Sequence, residues 1–274
     1  MKKKVLVIAK TEPATSTKYH TTVCTAGITE DGEFIRLYPI PFTLFCDEKT
    51  KFKKFDWIEV DCVKSKDDFR KESYKVRGDI KVLKNVGTDN KWKNRNEIVL
   101  PLLSNNFSDL EKENASLGLI KPYDLIDLVK TDKGDGPPNN TKSDGMMQMV
   151  FTFGSDGLGL KATPIPKELD MYYRYHFRCF EDDIIHKIMC EDWEIYEAAR
   201  SWVKTYDTAE KVWEEMYNKF FYDFKNKKDL YFFVGTHHIW KTWVIISVYY
   251  PPSSDISKTK QTSLFDPNFK LNLI

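Results

Sequence analysis

The sequence predicts an α+β fold: a curved, largely antiparallel sheet or partial barrel with packed helices and a flexible C-terminal tail. The first third alternates short β-rich runs with turn signals, the pattern of a small barrel. Residues 192–224 carry apolar side chains at helical spacing. Residues 251–274, after the Pro251-Pro252 pair, lose both patterns.

Residues 5–9, Val-Leu-Val-Ile-Ala, form an apolar run of strand length and read as a buried first strand. Runs 21–29 and 33–40 flank Glu30-Asp31-Gly32, and Asp-Gly between such runs marks a hairpin, because glycine accepts the positive φ of a tight turn. Pro39 and Pro41, which cannot donate to a ladder, end the second arm. In strand 55–64, Ile58, Val60 and Cys62 fall on one face. Residues 80–86 are a further strand. Ser108 is expected to cap a helix beginning at Asp109, ended by Gly118 and Pro122. Residues 123–130 read as a strand or a short helix. Residues 133–145, rich in Gly, Pro and Asn, read as a loop inside one fold.

Strands are expected at 148–153, 158–162 and 172–180. Two helices follow: Trp193, Tyr196, Ala199, Trp202 and Val203 line the first, and Val212, Met216, Phe220 and Phe224 the second, which Asp207 or Thr208 caps. Residues 230–234 and 242–249 pair across a turn that starts at Gly235. No internal repeat is evident. Residues 1–250 therefore read as a single domain and 251–274 as its tail.

The chain has 274 residues, is 41% hydrophobic and 30% charged, and carries a net charge of +1, which suits a globular core and rules against a global cationic field. Its aromatic content of 14% leaves rings to spare for a stacking surface. Residues 5–9 are too short for a signal-peptide core or a membrane span. The five scattered cysteines read as reduced thiols, so a cytoplasmic protein without a membrane partner is expected.

Three groups are candidates for chemistry. Asp192 and Glu194 flank the start of a helix, whose N-terminus favours carboxylates. One can cap the helix while the other faces a cleft, and with His186 they form an expected acid/base set that activates water or holds a divalent cation. Arg36, which interrupts an apolar strand, and Arg70 and Lys71, on a loop, are expected to bind phosphate. His237 and Trp240, past Gly235, are expected to line a base pocket by hydrogen bonding and stacking. Cys179, His186 and Cys190 with His176 raise zinc, but their spacing matches no zinc pattern. P-loop, Rossmann, α/β-hydrolase and zincin motifs are absent.

Three blocks, Cys24-Thr25-Ala26-Gly27-Ile28, Arg36-Leu37-Tyr38-Pro39-Ile40-Pro41 and Asp192-Trp193-Glu194, give most of the chain a resemblance to an uncharacterised prokaryotic protein family. That resemblance implies no particular activity and no catalytic residues. In the tail, Gln261-Thr262-Ser263-Leu264-Phe265 resembles the pentapeptide by which many bacterial DNA-processing proteins dock on the replication sliding clamp. It implies that Leu264 and Phe265 enter an apolar pocket while Gln261 bonds at its rim.

The resulting expectation is a DNA-acting enzyme of repair or antiviral defence, tethered to the sliding clamp. Its reaction would be base excision, as in a DNA glycosylase, or phosphodiester cleavage, on DNA that includes modified DNA. A non-enzymatic reader of modified or single-stranded DNA and a small-molecule enzyme with an incidental tail are the alternatives.

Overall fold

The computed structural model describes residues 1–16, 20–46, 48–132, 149–153, 160–164, 171–238 and 240–253. The loop expected at 133–145 and the clamp-like peptide at 261–265 lie outside them.

Six strands make the first sheet: β1 (Lys2–Lys10), β2 (Ala14–Ser16), β3 (His20–Thr29), β4 (Phe34–Pro41), β5 (Asp56–Lys64) and β6 (Ser73–Asn85). β1 pairs antiparallel with both β3 and β5. β3 pairs antiparallel with β4, β4 runs parallel to β6, and β6 returns antiparallel to β5. Five strands thus close a ring in the order β1-β3-β4-β6-β5, the Greek-key order of an OB-fold barrel. The expected Glu30–Gly32 turn joins β3 to β4, with Gly32 at φ +80°. The strand expected at 80–86 is the second half of the long β6.

The second sheet comprises β7 (Leu103–Ser104), β8 (Leu117–Ile120), β9 (Asp124–Asp132), β12 (Met171–Arg178), β13 (His186–Cys190), β14 (Tyr231–Thr236) and β15 (Trp243–Tyr249). β10 (Met149–Phe153) and β11 (Leu160–Pro164) form a separate hairpin. β9, β12 and β13 run antiparallel in turn, β13 lies parallel to β15, and β15-β14-β8 continues antiparallel. β8 and β9 are consecutive and separated by residues 121–123, with a bend at Tyr123. Taken as two halves of one first strand, they give the same order as the first barrel. The repeat lies in the pairing, where the sequence showed none.

Among the described residues, four α-helices longer than one turn punctuate the sheets: α1 (Lys93–Val99), α2 (Phe107–Lys112), α3 (Trp193–Val203) and α4 (Ala209–Tyr217). The two expected helices are α3 and α4, capped by Asp192 and Thr208. α2 starts earlier than expected. Asn106, not Ser108, is its cap and accepts from the Asp109 amide, because its extended backbone aims the side chain at the first turn. Among the described residues, no helix is long and apolar enough to cross a membrane.

Apolar residues gather in three clusters. Val5, Val7, Ile35, Leu37, Ile58, Val60 and Cys62 fill the first barrel. Tyr175, Phe177, Ile195, Met216, Phe220 and Phe232 fill the second and hold its helices. The third cluster lies between the barrels, joining Leu6, Ile8 and Ile28 to Leu119, Phe233 and Ile246. β1 therefore sends alternate residues into its own barrel and into the seam, and β14 does the same with Phe232 and Phe233. Burial on both faces is why residues 5–9 are apolar throughout.

A buried polar cluster crosses the same seam. The Arg36 guanidinium donates to the Ser116 hydroxyl at 3.0 Å and the Ser116 carbonyl at 2.9 Å. Glu72 accepts from the Ser116 amide at 2.9 Å and the Ser116 hydroxyl at 2.5 Å. Gly235 lies against this cluster: a Cβ there would stand 3.1 Å from Arg36 Nη2 and 3.2 Å from a Leu117 methyl. Gly235 thus lies inside β14, where its backbone closely approaches Arg36, and the turn expected from Gly235 begins after Thr236. Gly235→Ala is expected to lower unfolding stability by about 1–3 kcal/mol, as overpacking does. Chemical denaturation reads this directly, and an unchanged midpoint would show that the seam yields freely.

Candidate functional site

A cavity of about 510 Å³ opens at one end of the seam and takes its walls from both barrels. Lys10 comes from the end of β1, residues 53–56 from the start of β5 and Asn85 from the end of β6. Trp92 and Arg95 come from the start of α1, Glu194 from the first turn of α3, and Val248, Tyr249 and Tyr250 from the end of β15. Four cations, Lys10, Lys53, Lys54 and Arg95, face two carboxylates, Asp56 and Glu194, so the ionised lining sums to +2. Its size falls in the usual range for a small-molecule or cofactor site.

Aromatic rings form the rest of the wall. Trp92 lies 5.6 Å from Tyr249 and 5.8 Å from Tyr250, centroid to centroid. The Arg95 guanidinium sits 4.0 Å over the Phe55 ring and 4.9 Å from the centre of Trp92, and its Nε donates to the Val86 carbonyl at 2.7 Å. Trp92 is presented by an unusual backbone: Asn90, Lys91 and Trp92 all have positive φ, at 52°, 56° and 66°. Three successive non-glycine residues in the left-handed region persist only where their surroundings hold them, and such strain concentrates at binding sites.

Lys54 forms the floor. Its ammonium is buried and lies 3.1 Å from Asp192 Oδ2, 3.1 Å from Glu194 Oε2 and 3.2 Å from the Val248 carbonyl. Burial opposes its charge, but Asp192 and Glu194 outweigh that cost and hold its pKa above the ordinary lysine value. Lys10 differs. Burial dominates and lowers its pKa, with Glu194 opposing, while its ammonium lies 4.7 Å from the centre of the Trp193 ring.

The structure separates the expected acid/base set. Asp192 is 1% exposed and fully engaged. Its Oδ1 accepts from the Glu194 and Ile195 amides at 2.8 and 3.3 Å, and its Oδ2 accepts from the Val248 amide at 2.8 Å and from Lys54. It caps α3 and ties the barrels together. His186 stands at the other end of β13, where its Nε2 lies 2.6 Å from Asp182 Oδ2. Glu194 alone of the three lines the cavity.

The expected phosphate ligands are spent on the seam. Arg36 is buried on Ser116. Arg70 grips Asp68 through Nε and Nη2 at 2.8 and 2.6 Å and reaches the Thr236 carbonyl at 2.5 Å. Lys71 donates to the Glu113 carbonyl at 2.8 Å. His237 and Trp240 do stack, with centroids 4.0 Å apart, but at the tip of the β14–β15 hairpin, outside the cavity. Burial, then Arg70 and His238, lower the His237 pKa.

Lys10, Lys54, Trp92, Arg95, Tyr249 and Tyr250 were not singled out from the sequence. Lys54 and Asp192 are 138 positions apart, so no local pattern links them. Glu191, half-buried beside Asp192, has its pKa pushed up to about 7 by burial, partly offset by Arg36.

Two family models match the chain. One, a domain of unknown function (DUF8758), covers residues 1–101, and the other, a domain of unknown function (DUF8757), covers residues 103–268, more than half of the sequence. The chain belongs to the DUF8757 family. The break between the two matches falls just before β7, where the first barrel gives way to the second. The DUF8757 part supplies Glu194, Val248, Tyr249 and Tyr250 to the cavity, and the DUF8758 part supplies the cations. No curated protein matches the chain.

The geometry assigns opposite roles to the two acidic residues. Asp192→Ala leaves the buried Lys54 without its enclosed partner and uncaps α3, so a loss of about 3–5 kcal/mol in unfolding free energy is expected. Glu194, 51% exposed, is expected to cost less than about 1 kcal/mol on the same change. Equal losses in urea unfolding would contradict this division.

Proposed function

We propose that this chain binds nucleic acid by taking a single nucleotide into the seam cavity. The observation that carries the reading is a cavity in which Trp92 and Tyr250, backed by the buried Tyr249, offer rings beside Lys10, Lys53 and Arg95. A nucleotide is a planar ring joined to an anion, and stacking and charge pairing are the interactions it needs. A chain of net charge +1 with a local +2 cavity favours one exposed nucleotide over a long duplex backbone. The OB-like order of both barrels adds a fold-level analogy with oligonucleotide binding.

Binding assays with single-stranded DNA oligonucleotides and free nucleoside monophosphates test this. Wild type is expected to bind with a Kd on the order of micromolar. Trp92→Ala is expected to weaken binding by about 5–150-fold, the range for loss of one stacking contact. Absence of binding to both ligand types, or binding unchanged in Trp92→Ala and Arg95→Ala, overturns the proposal.

A second reading, base excision, draws on Glu194, whose carboxylate reaches the same cavity and is free of the cap that occupies Asp192. On that reading Glu194→Gln retains DNA binding and loses release of base.

The tail extends the proposal to a partner. Gln261, Leu264 and Phe265 would dock the chain on the bacterial sliding clamp, raising its local concentration on DNA in repair or antiviral defence. Purified clamp is expected to bind the full chain and to lose the Gln261→Ala/Leu264→Ala/Phe265→Ala variant. Failure of the wild type to bind removes the clamp and leaves the cavity reading intact.

A further inference from the structure

The turn between β12 and β13 brings together Cys179, Asp182 and His186, whose ligand atoms all lie within 4.8 Å of one another. Among the described residues they are the one such group of three. The chain reverses here through Glu181, a non-glycine residue at φ +54°, which turns Asp182 back toward Cys179. Asp182 is held by its other oxygen, since Oδ1 accepts from the Ile184 amide at 2.8 Å. Oδ2 is thereby aimed at His186 Nε2. The His186 ring is fixed between Phe107 and Phe177, with centroids 4.8 and 5.5 Å away. Asp182 and His186 both keep a solvent edge, at 15% and 14% exposure, so an ion can enter.

We propose that Cys179, Asp182 and His186 form a transition-metal site selective for zinc-like ions. One sulfur, one nitrogen and one oxygen donor make a mixed set suited to a borderline-soft cation. Tetrahedral zinc, with bonds of about 2.0–2.3 Å, requires donor separations of about 3.3–3.6 Å. The His186–Asp182 pair must therefore open slightly from 2.6 Å to admit the ion, and the thiol must close in. Binding exchanges protons for metal: Cys179 loses its thiol proton to solvent, and His186 binds through an unprotonated Nε2. Three protein ligands leave one tetrahedral position for water or another oxygen donor, as in open zinc sites. The Cys-x2-Asp-x3-His spacing differs from the Cys179, His186, Cys190 and His176 set considered from sequence. Cys190 lies at the far end of β13, and Asp182 takes its place.

Cobalt(II) titration of the purified full chain tests the site, because a thiolate–cobalt bond gives a charge-transfer band in the near ultraviolet. One cobalt per chain is expected, with the band displaced by zinc. Cys46, the exposed cysteine, is the control. Cys46→Ser is expected to keep the band and Cys179→Ser to lose it. Asp182→Asn retains the oxygen that receives the Ile184 amide, so it keeps the turn while removing the anionic ligand. It is expected to bind at least about 100-fold more weakly, the upper end of what loss of an outer-shell partner costs. No band in wild type, a band that survives Cys179→Ser, or an Asp182→Asn affinity equal to wild type overturns the proposal. Should Cys179→Ser fail to fold, the Asp182→Asn affinity decides.

Discussion

A buried ammonium is tolerated only when its charge and its donors are met, and Lys54 meets both conditions at the seam. Asp192 supplies the enclosed countercharge, the Val248 carbonyl takes a further donor, and Glu194 closes the solvent side. The same carboxylate caps α3 and receives the Val248 amide. One aspartate therefore fixes the start of β5, the end of β15 and the first turn of α3 relative to one another. Those are three of the segments that wall the cavity. Glu194 and Tyr249 are where they are because Asp192 is fully committed.

Two barrels that share a flat apolar contact diverge where each curves away, and a groove opens at that edge. Here the groove is lined by strand ends and first helical turns, which carry unpaired backbone groups and tolerate charged side chains. The middle of the seam is closed by Leu6, Ile8, Phe233 and Ile246 and pinned by Arg36, Glu72 and Ser116. Charge at the seam thus divides into a closed cluster that binds the barrels and an open one that faces a cavity. Arg36 and Arg70 belong to the first, although as residue types they would have served equally in the second.

Local chemistry was legible in the sequence wherever a feature answers to its neighbours in the chain. The apolar run 5–9, the Ile58–Val60–Cys62 face and the Asp-Gly turn all rest on spacings of a few residues, as do the two helix starts, where the structure chooses Asp192 over Glu194 and Thr208 over Asp207 as caps. Partnership across the seam was not legible. Arg36 and Ser116 are 80 positions apart, and nothing near Arg36 tells a buried clamp from a phosphate ligand. His186 and Asp192 looked like neighbours at six positions, but an extended strand carries them about 20 Å apart. Asp182, four positions before His186, was passed over because a turn, not a helix, folds it back. The repeated strand order was hidden because strand order leaves no trace in composition.

The proposed nucleotide site follows from where charge is concentrated more than from how much there is. A chain with a net charge of +1 draws little from the long-range field that brings cationic proteins to duplex DNA. Lys54 is already met by Asp192 and Glu194, so Lys10, Lys53 and Arg95 are left to neutralise one or two phosphates and no more. On that reading affinity has to come from burying a ring against Trp92 and Tyr250, a term that a stacked duplex base cannot supply without being unstacked. A base already single-stranded, mispaired or damaged enters at lower cost. On the proposed reading, a cavity of this composition would select exposed nucleotides by the energetics of unstacking, before any hydrogen bond to the base.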